Sequence, residues 1–250
     1  MSMKLKYSVL YLFVLFVLGC AHDDEIQSVV STIDVAERPS WNVDLAGSDA
    51  APSWTAPDPT KYESSMFVMV KLQEELEQYS TDKDRMTVFI DEECRAVPAK
   101  RNVDNYFLLK IRGTSTDRDV YFTLSYYCDS LHQIFNLTGK ETFATDHTYG
   151  IEEEFVPPLL KGCKKYPVQT SLICRLPEDA PFSMSDDDLI AAFVGNECRG
   201  VGTVGKAFTL FRTTSGETLQ LRYYSAQENT IYTLKQVVDP WEKEEITLAF

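Results

Sequence analysis

The chain has 250 residues, 44% of them hydrophobic and 25% charged, which is long enough for one large globular domain or two small ones. Its formal net charge of −14 argues against a surface that binds nucleic acid or an anionic membrane, because both need clustered Lys and Arg. We therefore expect no nucleic-acid partner.

The first twenty residues differ in composition from the rest of the chain. Lys4 and Lys6 form a short basic region, and residues 9–18 form an apolar run that is short for a membrane span. The run ends in Val17-Leu18-Gly19-Cys20, which resembles a bacterial lipobox, where a Cys is acylated and becomes the new N-terminus. The pattern predicts a lipoprotein signal peptide at residues 1–19 and lipidation of Cys20.

Residues 20–60 contain few aliphatic runs and many Pro, Gly, Ser and Asp, which predicts a flexible tether that starts at the acylated Cys20. The acidic residues 23–25 resemble the export signal of Bacteroidota lipoproteins. That resemblance implies a lipid-anchored protein of the outer membrane, exposed at the cell surface. Two Pro-Ser-Trp sequences place Trp41 and Trp54 in this segment, and each ring could dock on a neighbouring domain or stack on a ligand.

One stretch of nine residues occurs twice, at 89–97 and at 193–201. The shared residues include Phe89 and Phe193, Glu93 and Glu197, Cys94 and Cys198, and Arg95 and Arg199. The match extends without a gap from Tyr62 and Tyr166, and it resumes downstream at a slightly shorter offset. The repeat predicts two related domains, at residues 61–160 and 164–250.

Comparison of the two copies decides the secondary structure of doubtful segments. Residues 70–77 look helical alone, but their counterparts include Pro177 and Pro181, so we predict a strand followed by a loop, with a helical turn only in copy one. Residues 188–193 could form a short helix alone, but their counterpart in copy one, the segment around residues 85–90, is alternating and β-branched, which favours a strand. The fold class is therefore predicted as all-β, with two tandem β-sandwich domains of immunoglobulin-like type.

The repeated stretch is predicted to be a β-hairpin with a two-residue turn at Gly195-Asn196. In this register Phe193 faces Cys198 inside the core and Ala192 faces Arg199. Glu197 and Arg199 then share the outer face and form an ion pair, and the same pairings are expected for Phe89, Glu93, Cys94 and Arg95. This makes the motif structural, although a ligand-recognition pair was the alternative.

The sequence around this hairpin has a family resemblance. An Asp-rich loop, Ala191-Ala192-Phe193-Val194-Gly195, Glu197-Cys198-Arg199-Gly200-Val201, a Tyr-rich strand and a final Ile-Tyr hairpin are similar to β-domains that recur in surface and secreted proteins of Bacteroidota. Trp54 followed by Tyr62 and Met66 resembles the start of those domains. The resemblance covers residues 54–250 and implies a tandem β-domain surface lipoprotein without implying an activity.

The reactive residues indicate no catalytic or metal centre. The pairing of Cys94, Cys128, Cys163, Cys174 and Cys198 is left open: Cys94 and Cys198 are expected to be free, while bridges from Cys94 to Cys128 or from Cys174 to Cys198 are alternatives. No Cys or His spacing suits a metal, and no His lies in a nucleophile context. We expect no cofactor and no enzymatic activity.

These features predict a non-catalytic cell-surface lipoprotein that binds an extracellular ligand, with a glycan preferred. The candidate ligand-binding residues are aromatic, since sugar faces stack on rings: Trp41, Trp54, Trp241, Tyr127 and Tyr224. An alternative is a structural or adhesive component that packs against another surface protein, and a third hypothesis is a hydrolase with two facing carboxylates. Asp129-Ser130-Leu131 also matches a short O-glycosylation pattern of Bacteroidota, with a plain turn as the alternative.

Overall fold

A computed structural model of the protein describes residues 29–97, 106–180, 182–214, 216–238 and 245–250. The predicted signal peptide, the predicted lipidation site Cys20 and the ligand candidate Trp241 lie outside the described residues. Strands make up nearly all of the regular structure, which confirms the prediction of an all-β fold. Within the described ranges, no helix has the length and apolar character needed to cross a bilayer.

The strands are numbered here in chain order, together with the single α-helical turn that the described residues contain. They are β1 (Val29–Asp34), β2 (Ser64–Lys71), α1 (Glu74–Glu77), β3 (Arg85–Ile90), β4 (Glu93–Ala96), β5 (Tyr106–Gly113), β6 (Tyr121–Cys128), β7 (Gln133–Thr142), β8 (Thr148–Tyr149), β9 (Val168–Arg175), β10 (Leu189–Val194), β11 (Glu197–Gly202), β12 (Ala207–Arg212), β13 (Leu219–Ser225), β14 (Thr230–Val238) and β15 (Glu245–Thr247). Short 3₁₀ turns lie at Pro59–Lys61, Ser115–Asp117 and Leu159–Gly162.

The two halves of the chain repeat one strand order. Strands β2 to β8 form a three-stranded sheet, β5-β2-β8, and a four-stranded sheet, β4-β3-β6-β7. Strands β9 to β15 form the corresponding sheets β12-β9-β15 and β11-β10-β13-β14. In each half the last strand pairs in parallel with the first, β8 with β2 and β15 with β9, whereas the other pairs are antiparallel. The halves are thus two versions of one unit.

Each unit buries the apolar residues of its two sheets in one core. In the first unit Val68 and Leu109 of the smaller sheet pack with Val88 and Leu124 of the larger sheet. The second unit has the same arrangement, with Leu172 and Leu210 from one sheet and Ile190, Leu221 and Leu234 from the other. Buried and more exposed residues alternate along these strands because only one face of each sheet packs against the core.

Residues 29–60, which we call the N-terminal strap, are not the free tether that the sequence predicted. Strand β1 pairs antiparallel with β14 and adds a fifth strand to the larger sheet of the second unit. Two further hydrogen bonds hold its end there, from Val35 N to Asn229 O at 2.8 Å and from Thr230 Oγ1 to Asp34 Oδ1 at 2.9 Å. Without β1, the edge of β14 would have unpaired backbone N–H and C=O groups, and β1 provides their hydrogen-bond partners. The composition of residues 29–34 does not show that they pair with a strand so far away in the chain.

The strap then crosses from the second unit to the first. Trp41 lies edge-on against Phe193 with ring centroids 5.6 Å apart, and Trp54 lies edge-on against Phe89 at 6.2 Å. Between them Leu45 is buried in the core cluster of the first unit. The two Pro-Ser-Trp sequences therefore dock on equivalent Phe residues of the two units, and the Trp that comes first in the chain covers the second unit.

The loop before β3 and the loop before β10 each end in a buried aspartate, whose carboxylate accepts hydrogen bonds from a neighbouring strand and turn. In the first unit Asp84 accepts hydrogen bonds from Tyr126 Oη at 2.7 Å and from Asp129 N at 3.0 Å. In the second unit Asp188 accepts them from Tyr223 Oη at 2.5 Å and from Ala226 N at 2.8 Å. Asp188 is fully buried although it ends an acidic loop, because its side chain is the acceptor that these donors require.

Substitution of Asp188 by Ala should destabilise the second unit strongly. The buried Tyr223 hydroxyl and the partly buried Ala226 amide would both lose their acceptor, so we expect a loss of about 3 kcal/mol in the free energy of unfolding. Urea denaturation measures this loss. Asp187→Ala, at the exposed neighbouring position, is the matched control and should change stability by less than about 0.5 kcal/mol. Equal effects of the two variants would contradict the role given to Asp188.

Candidate functional site

The repeated hairpin has the predicted turn but a different register. Phe193 pairs with Cys198 as predicted, whereas Ala192 pairs with Gly200, because a β-bulge at Arg199 shifts the register. The first unit has the same bulge, with Phe89 opposite Cys94 and Val88 opposite Ala96. The predicted pairing of Ala192 with Arg199 is therefore wrong, and the same pairing predicted at the equivalent position of copy one is wrong as well. A bulge inserts one extra residue and re-aims its side chain, which here is the arginine.

The bulge also corrects the prediction of which side chains face inward. Ala192 and Ile190 lie in the core of the second unit, whereas Phe193 and Cys198 lie in a separate cluster with Trp41 on the outer face of the sheet. The Phe–Cys pair is therefore buried by the strap and not between the sheets. The arginines, predicted on an outer face, are buried in both units.

Each arginine is held by a tyrosine ring and two carboxylates. In the first unit Arg95 lies 4.7 Å from the centroid of the Tyr62 ring, and its Nη1 donates to Asp117 Oδ2 at 2.8 Å. The Tyr62 hydroxyl donates to Glu93 Oε1 at 2.6 Å, and Glu93 Oε2 lies 3.3 Å from Arg95 Nε. The group ties strand β4 to the start of β2 and to the turn before β6.

The second unit repeats this group with one change of residue type. Arg199 lies 5.1 Å from the Tyr166 ring centroid, and its two Nη atoms each donate to a Glu217 oxygen at 3.1 Å. Tyr166 Oη donates to Glu197 Oε1 at 2.7 Å. Because the group is present in both units, we interpret Glu93, Arg95, Glu197 and Arg199 as structural, as the sequence predicted.

The ionisation of these groups follows from burial and from their partners. Burial, together with the hydrogen bond to Glu93, raises the pKa of Tyr62 to about 12. Burial on its own would raise the pKa of Asp117, but the hydrogen bonds from Arg95 and Thr114 together lower it below its usual value. Glu217 behaves in the same way, since hydrogen bonds from Thr213 and the charge of Arg199 outweigh burial and lower its pKa. Both acids are therefore ionised at neutral pH.

The cysteines form no disulfide in the described part of the chain. Cys94, Cys128, Cys163, Cys174 and Cys198 are all free, so neither of the alternative bridges is present. All but Cys94 are buried, and burial raises the pKa of Cys163, Cys174 and Cys198. Among the described side chains no group of three or more His, Cys, Asp or Glu could hold a metal ion.

Two of the predicted ligand-binding residues are not available to a ligand. Tyr127 and Tyr224 are only 2% and 3% exposed, so neither ring can stack on a sugar. Both residues lie on strands with a neighbour on each side, β6 between β3 and β7, and β13 between β10 and β14. Ser130 lies in an exposed turn between β6 and β7, where its hydroxyl donates to Tyr79 O.

Among the aromatic candidates, Trp54 lines an open groove of about 650 Å³ on the outer face of the larger sheet of the first unit. Tyr121, at the start of β6, lines the same groove with 59% of its surface exposed. Phe89 and Ile134 contribute apolar surface. The groove thus presents aromatic rings on a rigid sheet, which is a common setting for a ligand site. We call it the first-unit groove.

Polar groups of the same groove come from three elements. Asp91 and Glu92 belong to the turn between β3 and β4, and Asn136 lies on β7. Ser125 donates from Oγ to Asn136 Oδ1 at 2.8 Å, which orients the amide and leaves its Nδ2 atom without a hydrogen bond among the described residues. The groove therefore combines two carboxylate acceptors with an amide donor.

The corresponding surface of the second unit is filled. Arg222 occupies the position of Ser125, as the strand register shows: Ser125 pairs with Thr87, and Arg222 with Ala191. Its guanidinium lies 4.1 Å from the centroid of the Phe193 ring, and its Nη2 donates to Gly195 O at 3.0 Å. The two units therefore differ most clearly on this face, where one is open and the other is closed.

Trp41 lines a different cavity, a cleft of about 680 Å³ between the strap and the two units. Tyr79 and Leu160 of the first unit and Phe208 of the second also line it. Its walls are the elements that join the two units, so we assign it to their interface.

The sequence indicated Trp54 and missed Tyr121, Asn136 and the acidic turn. Strand β6 contained a usable signal, since Phe122, Leu124 and Tyr126 face the core and alternation places Tyr121 on the outer face. No family model, curated protein or solved structure matches this chain. The description of the fold as immunoglobulin-like therefore stays a prediction, and function must be argued from the site.

The pairing of Asp117 with Arg95 predicts a specific dependence of stability on pH. Because the folded pKa of Asp117 is below its unfolded value, its contribution is complete above the unfolded pKa of about 4 and is lost as pH falls through the folded pKa. Asp117→Asn should cost about 3 kcal/mol at pH 7, where Arg95 loses its buried partner, and less at pH values below about 3. Urea titrations across this range measure the difference, with the exposed Asp119→Asn as the control. A constant difference at all pH values would contradict the assignment.

Proposed function

We propose that the protein is a non-catalytic lipoprotein of the cell surface that binds an extracellular glycan in the first-unit groove. The observation that carries the proposal is the difference between the two units. A duplicated unit needs its core and its arginine group in both copies, whereas a ligand site needs only one. The open face with Trp54 and Tyr121 is the clearest local feature that the first unit has and the second lacks.

The chemistry of the groove suits a sugar. Aromatic rings offer apolar faces to the C–H faces of a pyranose, and carboxylate and amide groups around them match its hydroxyl groups. Trp54 is fixed edge-on against Phe89, and Tyr121 stands on a strand of a four-stranded sheet. Little side-chain freedom would be lost on binding, which favours affinity.

The acidic residues of the groove favour binding over hydrolysis. A glycosidase needs two carboxyl groups on opposite sides of the scissile bond, and one of them usually has a raised pKa caused by burial. Asp91 and Glu92 are consecutive residues of one turn, and both are exposed. They belong to one side of the groove, so they do not form the facing pair that the hydrolase hypothesis requires.

The strap supports display of the groove away from the membrane. Val29, the first residue of β1, follows the proposed lipid anchor Cys20 by nine positions, and an extended chain of that length spans at most about 30 Å. Because β1 belongs to the second unit, the anchor would hold that unit near the membrane. The first unit, which carries the groove, would then be the one presented to extracellular material.

A second candidate function, adhesion to another surface protein, is favoured by a different face. Phe67 and Leu108 are exposed on the outer face of the smaller sheet of the first unit, with Lys110 Nζ 5.5 Å from the Phe67 ring centroid. Exposed apolar residues on one sheet face can serve as a protein contact. A stoichiometric outer-membrane partner that stays bound in excess sugar, and is lost with Leu108→Glu, would favour this function.

The glycan proposal is tested by a reciprocal exchange between the two units. Ser125→Arg installs the second-unit residue and should fill the groove, while Tyr121→Ala removes the exposed ring. Each variant should weaken glycan binding by about tenfold or more, equivalent to at least about 1.4 kcal/mol. The measurement is isothermal titration calorimetry against a panel of neutral and acidic oligosaccharides, after the panel has identified a ligand for the unmodified protein.

Two controls accompany this exchange. Arg222→Ser, the opposite substitution in the second unit, should leave binding in the first-unit groove unchanged. Thermal unfolding of each variant shows whether a loss of binding reflects unfolding. The proposal fails if no glycan of a broad panel binds, or if Ser125→Arg and Tyr121→Ala fold and bind as the unmodified protein does.

A further inference from the structure

The turn at the rim of the first-unit groove is held in a backbone conformation that its residues do not favour. Asp91 and Glu92 have φ values of 48° and 64°, in the left-handed region. At the same turn of the second unit Gly195 has φ of 61°, and the following residue, Asn196, does not have a positive φ. Gly adopts this region without cost, and Asn or Asp tolerate it, whereas Glu is strained there. The first unit thus carries two carboxylates where its copy has the residues that a tight turn prefers.

These two carboxylates define the charge of the groove. The groove is lined by Trp54, Tyr121, Asn136 and other uncharged residues, and neither Lys nor Arg is among its lining residues. Neither Asp91 nor Glu92 makes an ion pair or a side-chain hydrogen bond with another described residue, and both are exposed. Their oxygens are acceptors without partners, next to aromatic rings that can seat a sugar.

We infer that the groove selects uncharged sugars and rejects those with carboxylate or sulfate groups. The inference rests on the proposed function and specifies its ligand class. A carboxylate accepts hydrogen bonds from sugar hydroxyl groups, and bonds to a charged acceptor are stronger than neutral ones. An acidic sugar in the same place brings like charges within a few ångströms, without a cation in the lining to compensate. The formal charge of −14 on the chain adds long-range repulsion of polyanions.

The first test compares sugars that differ only at C6, where the neutral one has a hydroxymethyl group and the acidic one a carboxylate. A galacto-oligosaccharide and an oligogalacturonide of the same length and linkage are titrated into the unmodified protein at low salt, where exposed charges are least screened. We expect the acidic sugar to bind about tenfold or more weakly than the neutral one, a gap that narrows as salt is raised. The double variant Asp91→Asn with Glu92→Gln should remove most of the difference, because it keeps the shape of the turn and removes its charge.

The second test separates a binding role of Glu92 from a structural one. Glu92→Gly should raise the melting temperature, because Gly fits the left-handed region, and should weaken binding of the neutral sugar. Asp146→Gly is the matched control, since Asp146 is exposed, has φ of 56° and is not among the groove's lining residues. Because Asp tolerates this region, Asp146→Gly should change the melting temperature less than Glu92→Gly does, and it should leave binding unchanged. A residue retained for stability alone would not show opposite effects on stability and binding.

The outcomes distinguish this inference from the function on which it rests. Equal or tighter binding of the acidic sugar, sensitive to Tyr121→Ala, would overturn the inference while the groove stayed a glycan site. Unchanged neutral binding in the Glu92→Gly variant would also overturn it. If neither sugar class binds across the panel, the proposed function fails, and the inference fails with it.

Discussion

The architecture depends on the need to cover the apolar outer face of each four-stranded sheet. Phe193 and Cys198 in the second unit, and Phe89 with Cys94 in the first, face away from the core of the unit to which they belong. Left in water, such residues would expose apolar surface at a cost of about 25 cal/mol per Å². The strap covers them with Trp41 and Trp54, and this requirement explains why a segment of loop composition is held along both units.

The cover differs between the units, and this difference creates the candidate site. On the second unit the strap adds strand β1, and the Arg222 guanidinium lies over the Phe193 ring, 4.1 Å from its centroid. On the first unit the small Ser125 stands at the equivalent position, so the ring of Trp54 is left beside an open groove. Features common to the units, such as the arginine groups and the buried Asp84 and Asp188, maintain the shared fold. A feature that only one unit has, such as the open groove of the first, can serve binding without affecting the shared fold.

Much of the fold could be predicted from the sequence, and the reasons are local. Strand alternation and the comparison of two copies located the hairpin, the pairing of Phe193 with Cys198 and the strand character of residues 188–193. The same reasoning failed at Arg199, because a bulge depends on what lies at the sheet edge. The carboxylate of Glu217 and the Tyr166 ring stabilise the buried guanidinium there, and neither is near Arg199 in the sequence. The groove was found only in part, since Trp54 was a candidate and Tyr121 was not.

The sequence by itself determined the all-β class and the presence of two related units, because β-propensity, alternation and internal repetition are properties of neighbouring residues. Tertiary structure alone decided which aromatic rings meet solvent. Tyr127 and Tyr224 are buried, Tyr121 is exposed, and Trp41 covers the unit that is more distant in the chain. The physical reason is that exposure on the outer face of a sheet depends on what packs over it. For Phe193 that cover comes from Trp41 of the strap and from Arg222, both far from it in the sequence.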